Sequence, residues 1–238
     1  MGQLNFSRIA KTVRSQRFSR SVRAWVLPVL LTLAILLGVH TRVKADPAPP
    51  ASELLAYLQD SQLSLFEDSS TGLPQIYYFF NHKPVQLTND PNIAALHPIS
   101  SGQYVAYIGI VNGLSQVFVY DVLSDAPLQL SLTSPNEGVS IDGNQLAWQT
   151  WDGQNWQIDY FNGIEVKQLT SGGNNSINAQ IKGQEVLYAT QIGPDDWLAQ
   201  EYDGASGQLT TIREGDTSST AYPHFNDDGT ISSEFVPQ

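Results

Sequence analysis

Beyond residue 60 the chain alternates short apolar runs with Gly, Asn and Asp, and the runs are rich in Val, Ile, Tyr, Phe and Trp. β-Branched and aromatic residues suit half-buried pleated positions, so the pattern predicts an all-β body. The runs also repeat. Gly102-Gln103-Tyr104-Val105-Ala106-Tyr107 returns as Gly143-Asn144-Gln145-Leu146-Ala147-Trp148 and as Gly183-Gln184-Glu185-Val186-Leu187-Tyr188, at spacings of 41 and 40. An imperfect copy starts at Gly229, 46 residues on. A second anchor is a strand ending on Asp or Asn, at 75–81, 116–121 and 157–162, with a weaker copy at 197–203. A third is Gln-Leu-Thr, at Gln86-Leu87-Thr88, Gln168-Leu169-Thr170 and Gln208-Leu209-Thr210, with Gln129-Leu130-Ser131 among them.

Between the anchors, Asn112-Gly113, Asp152-Gly153, Asn162-Gly163 and Asp203-Gly204 offer the positive φ of tight hairpins. Each unit then reads as four short antiparallel strands, a to d from inside to outside, the size of one propeller blade. Full units run about 92–133, 138–170 and 176–212. The C-terminus adds strands a and b near 220–225 and 230–235, and the N-terminal body adds c and d at 75–80 and 84–88. The expectation is a β-propeller of about four blades, the last closed by both chain ends so that no edge stays open. Leu63-Ser64-Leu65-Phe66-Glu67-Asp68 competes for the b position. An open stack or a two-chain assembly are the alternatives.

Pro223-His224-Phe225-Asn226-Asp227-Asp228-Gly229, Ser101-Gly102-Gln103-Tyr104-Val105-Ala106-Tyr107, Val117-Phe118-Val119-Tyr120-Asp121 and Leu169-Thr170 together resemble the TolB-like propeller repeat, a relative of the WD repeat. The middle units depart from it: Ile141-Asp142-Gly143 lacks the Pro, and Ile181-Lys182-Gly183 lacks Pro and Asp. The resemblance covers the repeats alone, about 63–238, with no counterpart of the separate TolB N-terminal domain. It implies the propeller fold, with Gly102, Gly143, Gly183 and Gly229 as repeat-structural positions.

The N-terminus differs in kind. Residues 1–45 hold eight Arg and Lys and no acid, and 24–39 form an apolar stretch too short for a comfortable bilayer crossing. Val43-Lys44-Ala45 precedes Asp46 with the small-residue signature of a cleavage site. Residues 1–45 are therefore expected to be a signal peptide cut between Ala45 and Asp46, with an uncleaved signal anchor as the alternative. Either places the body in the periplasm or outside the cell. Residues 46–62 read as a Pro-rich spacer and a short helix capped by Ser52, and 63–238 as the propeller repeats.

The segment 46–238 carries 4 cations and 23 acids, a charge of 4 − 23 = −19. That excludes nucleic acid as a partner, and membrane contact unless the anchor is retained. A protein partner, basic in character, fits better. There is no cysteine, hence no disulfide and no thiolate ligand.

No metal-ligand spacing joins His82, His97 and His224, and no nucleophile elbow or phosphate loop occurs. Asp159, Glu185 and Glu201 are the carboxylates considered for glycoside hydrolysis, which needs two across a sugar. Asp227-Asp228-Gly229 and Asp195-Asp196 are the turns considered for Ca²⁺; neither has the alternating spacing of a dedicated loop, and no cofactor is expected. Trp148, Trp151 and Trp156 cluster on one hairpin, with Trp197 near the equivalent hairpin of the next unit. Trp151, Trp156 and Trp197 are the candidate binding residues, for a protein hot spot or a sugar platform. The reading is an exported, non-enzymatic interaction module of the cell envelope, with a carbohydrate-binding or carbohydrate-cleaving propeller as the alternative.

Overall fold

The computed structural model describes residues 45–60, 62–70, 72–194, 196–214 and 219–237. The expected signal segment lies outside the described residues, save Ala45 next to the expected cut. A helix, α1 (Ala51–Asp60), precedes five consecutive antiparallel sheets. The first holds β1 (Ser64–Asp68), β2 (Gln75–Phe80) and β3 (Lys83–Gln86). Three four-stranded sheets follow: β4 (Ala94–Ser101), β5 (Tyr104–Val111), β6 (Leu114–Asp121) and β7 (Ala126–Gln129); β8 (Asn136–Asp142), β9 (Gln145–Trp151), β10 (Trp156–Phe161) and β11 (Val166–Gln168); β12 (Ser176–Lys182), β13 (Glu185–Gln191), β14 (Trp197–Asp203) and β15 (Leu209–Glu214). The last sheet is the pair β16 (Ser219–Phe225) and β17 (Ile231–Pro237). The body is an all-β propeller whose three complete blades fall where the repeat places them.

The shared closing blade does not form as a single sheet. β1, not β17, pairs with β2, and β17 pairs with β16. The register explains this. Ser64 faces Phe79 as Val105 faces Tyr120, Leu146 faces Phe161 and Val186 faces Tyr202. β1 is thus the b strand of the first unit, 41 residues ahead of β5. Closing the short connection from Asp68 to Gln75 also costs far less chain entropy than bringing in a strand from the other terminus. The place of that unit's strand a, 41 residues before β4, is taken by α1. The helix starts at Ala51, with the Leu54 N–H donating to the Pro50 carbonyl (3.1 Å). Ser52 therefore lies inside the first turn and Pro50 stands at the N-cap.

Alternation along each strand feeds two interfaces. In the second blade Val105, Tyr107, Phe118 and Tyr120 pack toward the first, with Ile76, Tyr78 and Val85. Ala106, Ile108, Val117 and Val119 pack toward Leu146, Trp148 and Phe161 of the third. Ala147, Ile158 and Tyr160 then meet Val186, Tyr188 and Tyr202 of the fourth. A period-2 strand buried on both sides needs apolar residues at nearly every position, which is why the b and c strands read as continuous apolar runs.

The Gln-Leu-Thr anchor has a structural cause. The Thr88, Ser131 and Thr170 hydroxyls accept from the backbone N–H of Ile76, Val117 and Ile158, each at 2.8 Å. The buried Gln75, Gln116 and Gln157 donate through Nε2 to carbonyls of the loops leading to the next blade. The repeat glycines are equally explained: Gly102, Gly143, Gly183 and Gly229 turn with φ of 56°, 56°, 59° and 86°. Gly204 departs from expectation, since it is absent from the positive-φ positions. Space selects it instead: a Cβ would stand 2.8 Å from the Gln184 carbonyl oxygen and the Tyr160 hydroxyl.

Candidate protein-binding face

Antiparallel order a-b-c-d places the b–c turns and the d–a connections at one end of every blade. The a–b and c–d turns fall at the other. Hydrogen bonds tie the first end together across blades. Trp156 N–H donates to Asn175 Oδ1 (2.9 Å), Asn175 Nδ2 to Gln191 Oε1 (3.0 Å), and Asn136 Nδ2 to the Ser115 carbonyl (2.9 Å).

Trp151 and Trp156 flank the b–c turn of the third blade. Both are half-buried, and their rings meet edge to face, 5.4 Å apart at 62°. The turn between them is fixed by Asp152. Its Oδ1 accepts from the Gln154 and Asn155 N–H groups (2.8 Å each), and its Oδ2 from Gln157 Nε2 (3.0 Å). The Asn155 and Gln154 bonds, with Gln157 adding to them, hold the carboxyl below the usual Asp range. Beyond the pair, Leu132 in the neighbouring d–a connection is 75% exposed. Ile192 and Leu73, in b–c turns of other blades, are half exposed. Sequence reasoning missed these three. Each is a lone apolar residue inside a loop, with no periodicity around it.

Trp197 does not join the pair. It is buried on the side that packs with Ala189 and Ala199. It opens β14 opposite Gln191, as Trp156 opens β10 opposite Trp151, but its ring packs within its own blade, where Ile177 and Ile212 join the cluster. Trp148 is fully buried, its Nε1 donating to Asn136 Oδ1 and Thr150 Oγ1 (3.0 Å each).

Of the considered carboxylates, Asp159 stands on the third blade, while Glu185 and Glu201 stand on adjacent strands of the fourth. Thr150 Oγ1 donates to Asp159 Oδ2 (2.6 Å), while burial raises the Asp159 pKa. Glu201 is raised by burial first, then by the charges of Glu185 and Asp203. Asp228 Oδ1 accepts from Thr230 N–H and hydroxyl, which closes its own turn. His97 sits at a left-handed bulge, φ 54°, where its N–H donates to Glu67 Oε1 (2.7 Å). Gly138 and Asn178 take the same bulge conformation at the equivalent positions of the next two blades.

No family model matches the chain, and no curated protein does either. Solved structures do. The propeller domain of the Trilobed protease from Pyrococcus furiosus, described as having an open velcro topology, is similar at 12% identity and a TM-score of 0.50, covering 60% of this chain and 47% of that one. A TolB-type structure from Agrobacterium tumefaciens is similar at 18% identity and a TM-score of 0.49, over 75% of this chain and 72% of that one. TolB from Acinetobacter baumannii is similar at 16% and 0.47, over 71% and 45%. At these identities the likeness concerns the fold.

Proposed function

We propose that the chain is an exported, non-enzymatic β-propeller that binds a protein partner of the cell envelope on the end formed by its b–c turns and d–a connections. One observation carries the reading. The half-buried Trp151–Trp156 pair shares that end with the exposed Leu132, Ile192 and Leu73. Aromatic anchors amid exposed aliphatics are the chemistry of a protein hot spot. Rigid Asp152-held geometry keeps the pair pre-organised, which lowers the ordering cost of docking. Some solved structures with a similar propeller belong to peptidases, such as the acylaminoacyl peptidase of Pyrococcus horikoshii; the described residues here support binding in preference to catalysis.

Site-specific photo-crosslinking in cells tests it. A crosslinker at Leu132 should capture a partner protein, and Trp151→Ala should abolish that capture. A crosslinker at Ile164, 89% exposed on a c–d turn at the opposite end, should not. Equal capture from both ends, or none from Leu132, refutes the reading. Retention on glycans in place of capture, lost with Trp151→Ala, would make the pair a sugar platform.

A further inference from the structure

We propose a second recognition element: a cleft against α1 and the first two blades that takes a lysine side chain from a basic segment of the protein partner. It rests on the reading that this body binds a protein, and it names the chemistry of that protein.

The cleft measures about 100 Å³ and opens beside the Pro-rich spacer. Pro49, Leu54, Leu87 and Val122 give it apolar walls. Its polar end is made by Tyr78, Tyr120 and Asp125. Asp125 stands in the c–d turn of the second blade with a left-handed backbone, φ 53°, and an exposed side chain. Its Oδ1 accepts the Tyr120 hydroxyl. Burial first, and the charge of Asp125 second, push the Tyr78 phenol up to about 12; burial and then the Asp125 hydrogen bond raise Tyr120 as well, so both phenols stay neutral near pH 7, and Asp125 is the one acidic side chain of the lining.

No Lys or Arg lines the cleft. Among the described residues the single ion pair is Lys83–Asp46, at 3.0 Å. An anion at the end of an apolar slot, flanked by two aromatic rings, is matched by a cation on a slim aliphatic stem. The stem lies along the Leu and Val walls while the ammonium meets Asp125 and the ring faces. The surrounding charge of −19 steers such a group inward. Lysine, a compact point charge on a four-carbon stem, is the cation proposed.

The test uses the full chain and a short labelled peptide of alternating Lys and Ser, read by fluorescence anisotropy at about 0.15 M salt. Asp125→Asn keeps shape and turn propensity and should weaken binding about tenfold or more. Asp227→Asn, an exposed acid in a distant turn, should change it less than about twofold. Acetylating the peptide lysines should remove binding. Trp151→Ala should leave the peptide affinity unchanged while losing the Leu132 crosslink, so the two proposals fail separately. Equal weakening by Asp125→Asn and Asp227→Asn would mean a diffuse field only and overturns the cleft. So does an absence of peptide binding. Concentration-dependent self-association that disappears with Asp125→Asn would make the occupant a second copy of this chain and overturns it as well.

Discussion

At position 143 the backbone turns at φ 56°, with nothing near the point where a Cβ would stand. Gly143→Ala therefore pays only a conformational penalty, about 1 kcal/mol, visible as a lower urea midpoint at unchanged slope. Gly109→Ala fails for the opposite reason. Its backbone is ordinary, but the Cβ would stand 2.5 Å from Phe118 Cε2 inside an apolar interface, and overpacking there costs about 1–3 kcal/mol. Asp159 makes a prediction with a sign. Burial raises its pKa above the ordinary 3.8, so the folded state holds the proton more tightly than the unfolded one. The stability it contributes is full below the unfolded value and declines as pH rises through the raised folded value. Asp159→Asn should then melt higher than the parent chain at pH 7, and the advantage should vanish below about pH 4. Thermal melts across that range decide it.

Among elements, the c strands depend on a hydroxyl that follows them by about twelve residues. Thr170→Val leaves the Ile158 N–H without its acceptor and should cost about 1–3 kcal/mol, with faster hydrogen exchange at Ile158. The anchor was visible in the sequence as a recurring Gln-Leu-Thr; its reason was not, because the acceptor lies across a strand boundary. The glycine anchors were readable because left-handed turns leave few other choices. β1 was the hard case. An a–b hairpin demands glycine at its turn, but the first unit has a helix where strand a would stand, and the sequence carries no glycine 41 positions before Gly102, so the signature disappears. The proposed binding end was half legible. Tryptophans flanking Asp-Gly announced Trp151 and Trp156, whereas the burial of Trp197 depends on its packing with Ala189, Ala199, Ile177 and Ile212 across four strands of its sheet.

For the molecule as a whole, 23 acids face 4 cations after Ala45. With one ion pair among the described residues, self-repulsion opposes the compact state. Added salt shortens the screening length from about 30 Å at 0.01 M to about 8 Å at 0.15 M. The melting temperature near pH 7 should therefore climb by several degrees over that range, and it should fall if acids are added on the surface. A flat or falling response would show the charges to be held apart well enough not to matter.

Asp46 is held to the outermost strand of the first blade. Its N–H donates to the Pro84 carbonyl (2.8 Å), its carboxylate pairs with Lys83, and it bridges Val85 in parallel. Chain entering along a strand, and not across it, decides how the body bears force. A pull on the segment before residue 46 runs along β3 and loads these bonds in shear, all at once. A pull at the other terminus meets β17, whose strand pairing among the described residues is with β16, and loads that hairpin in place of the first blade.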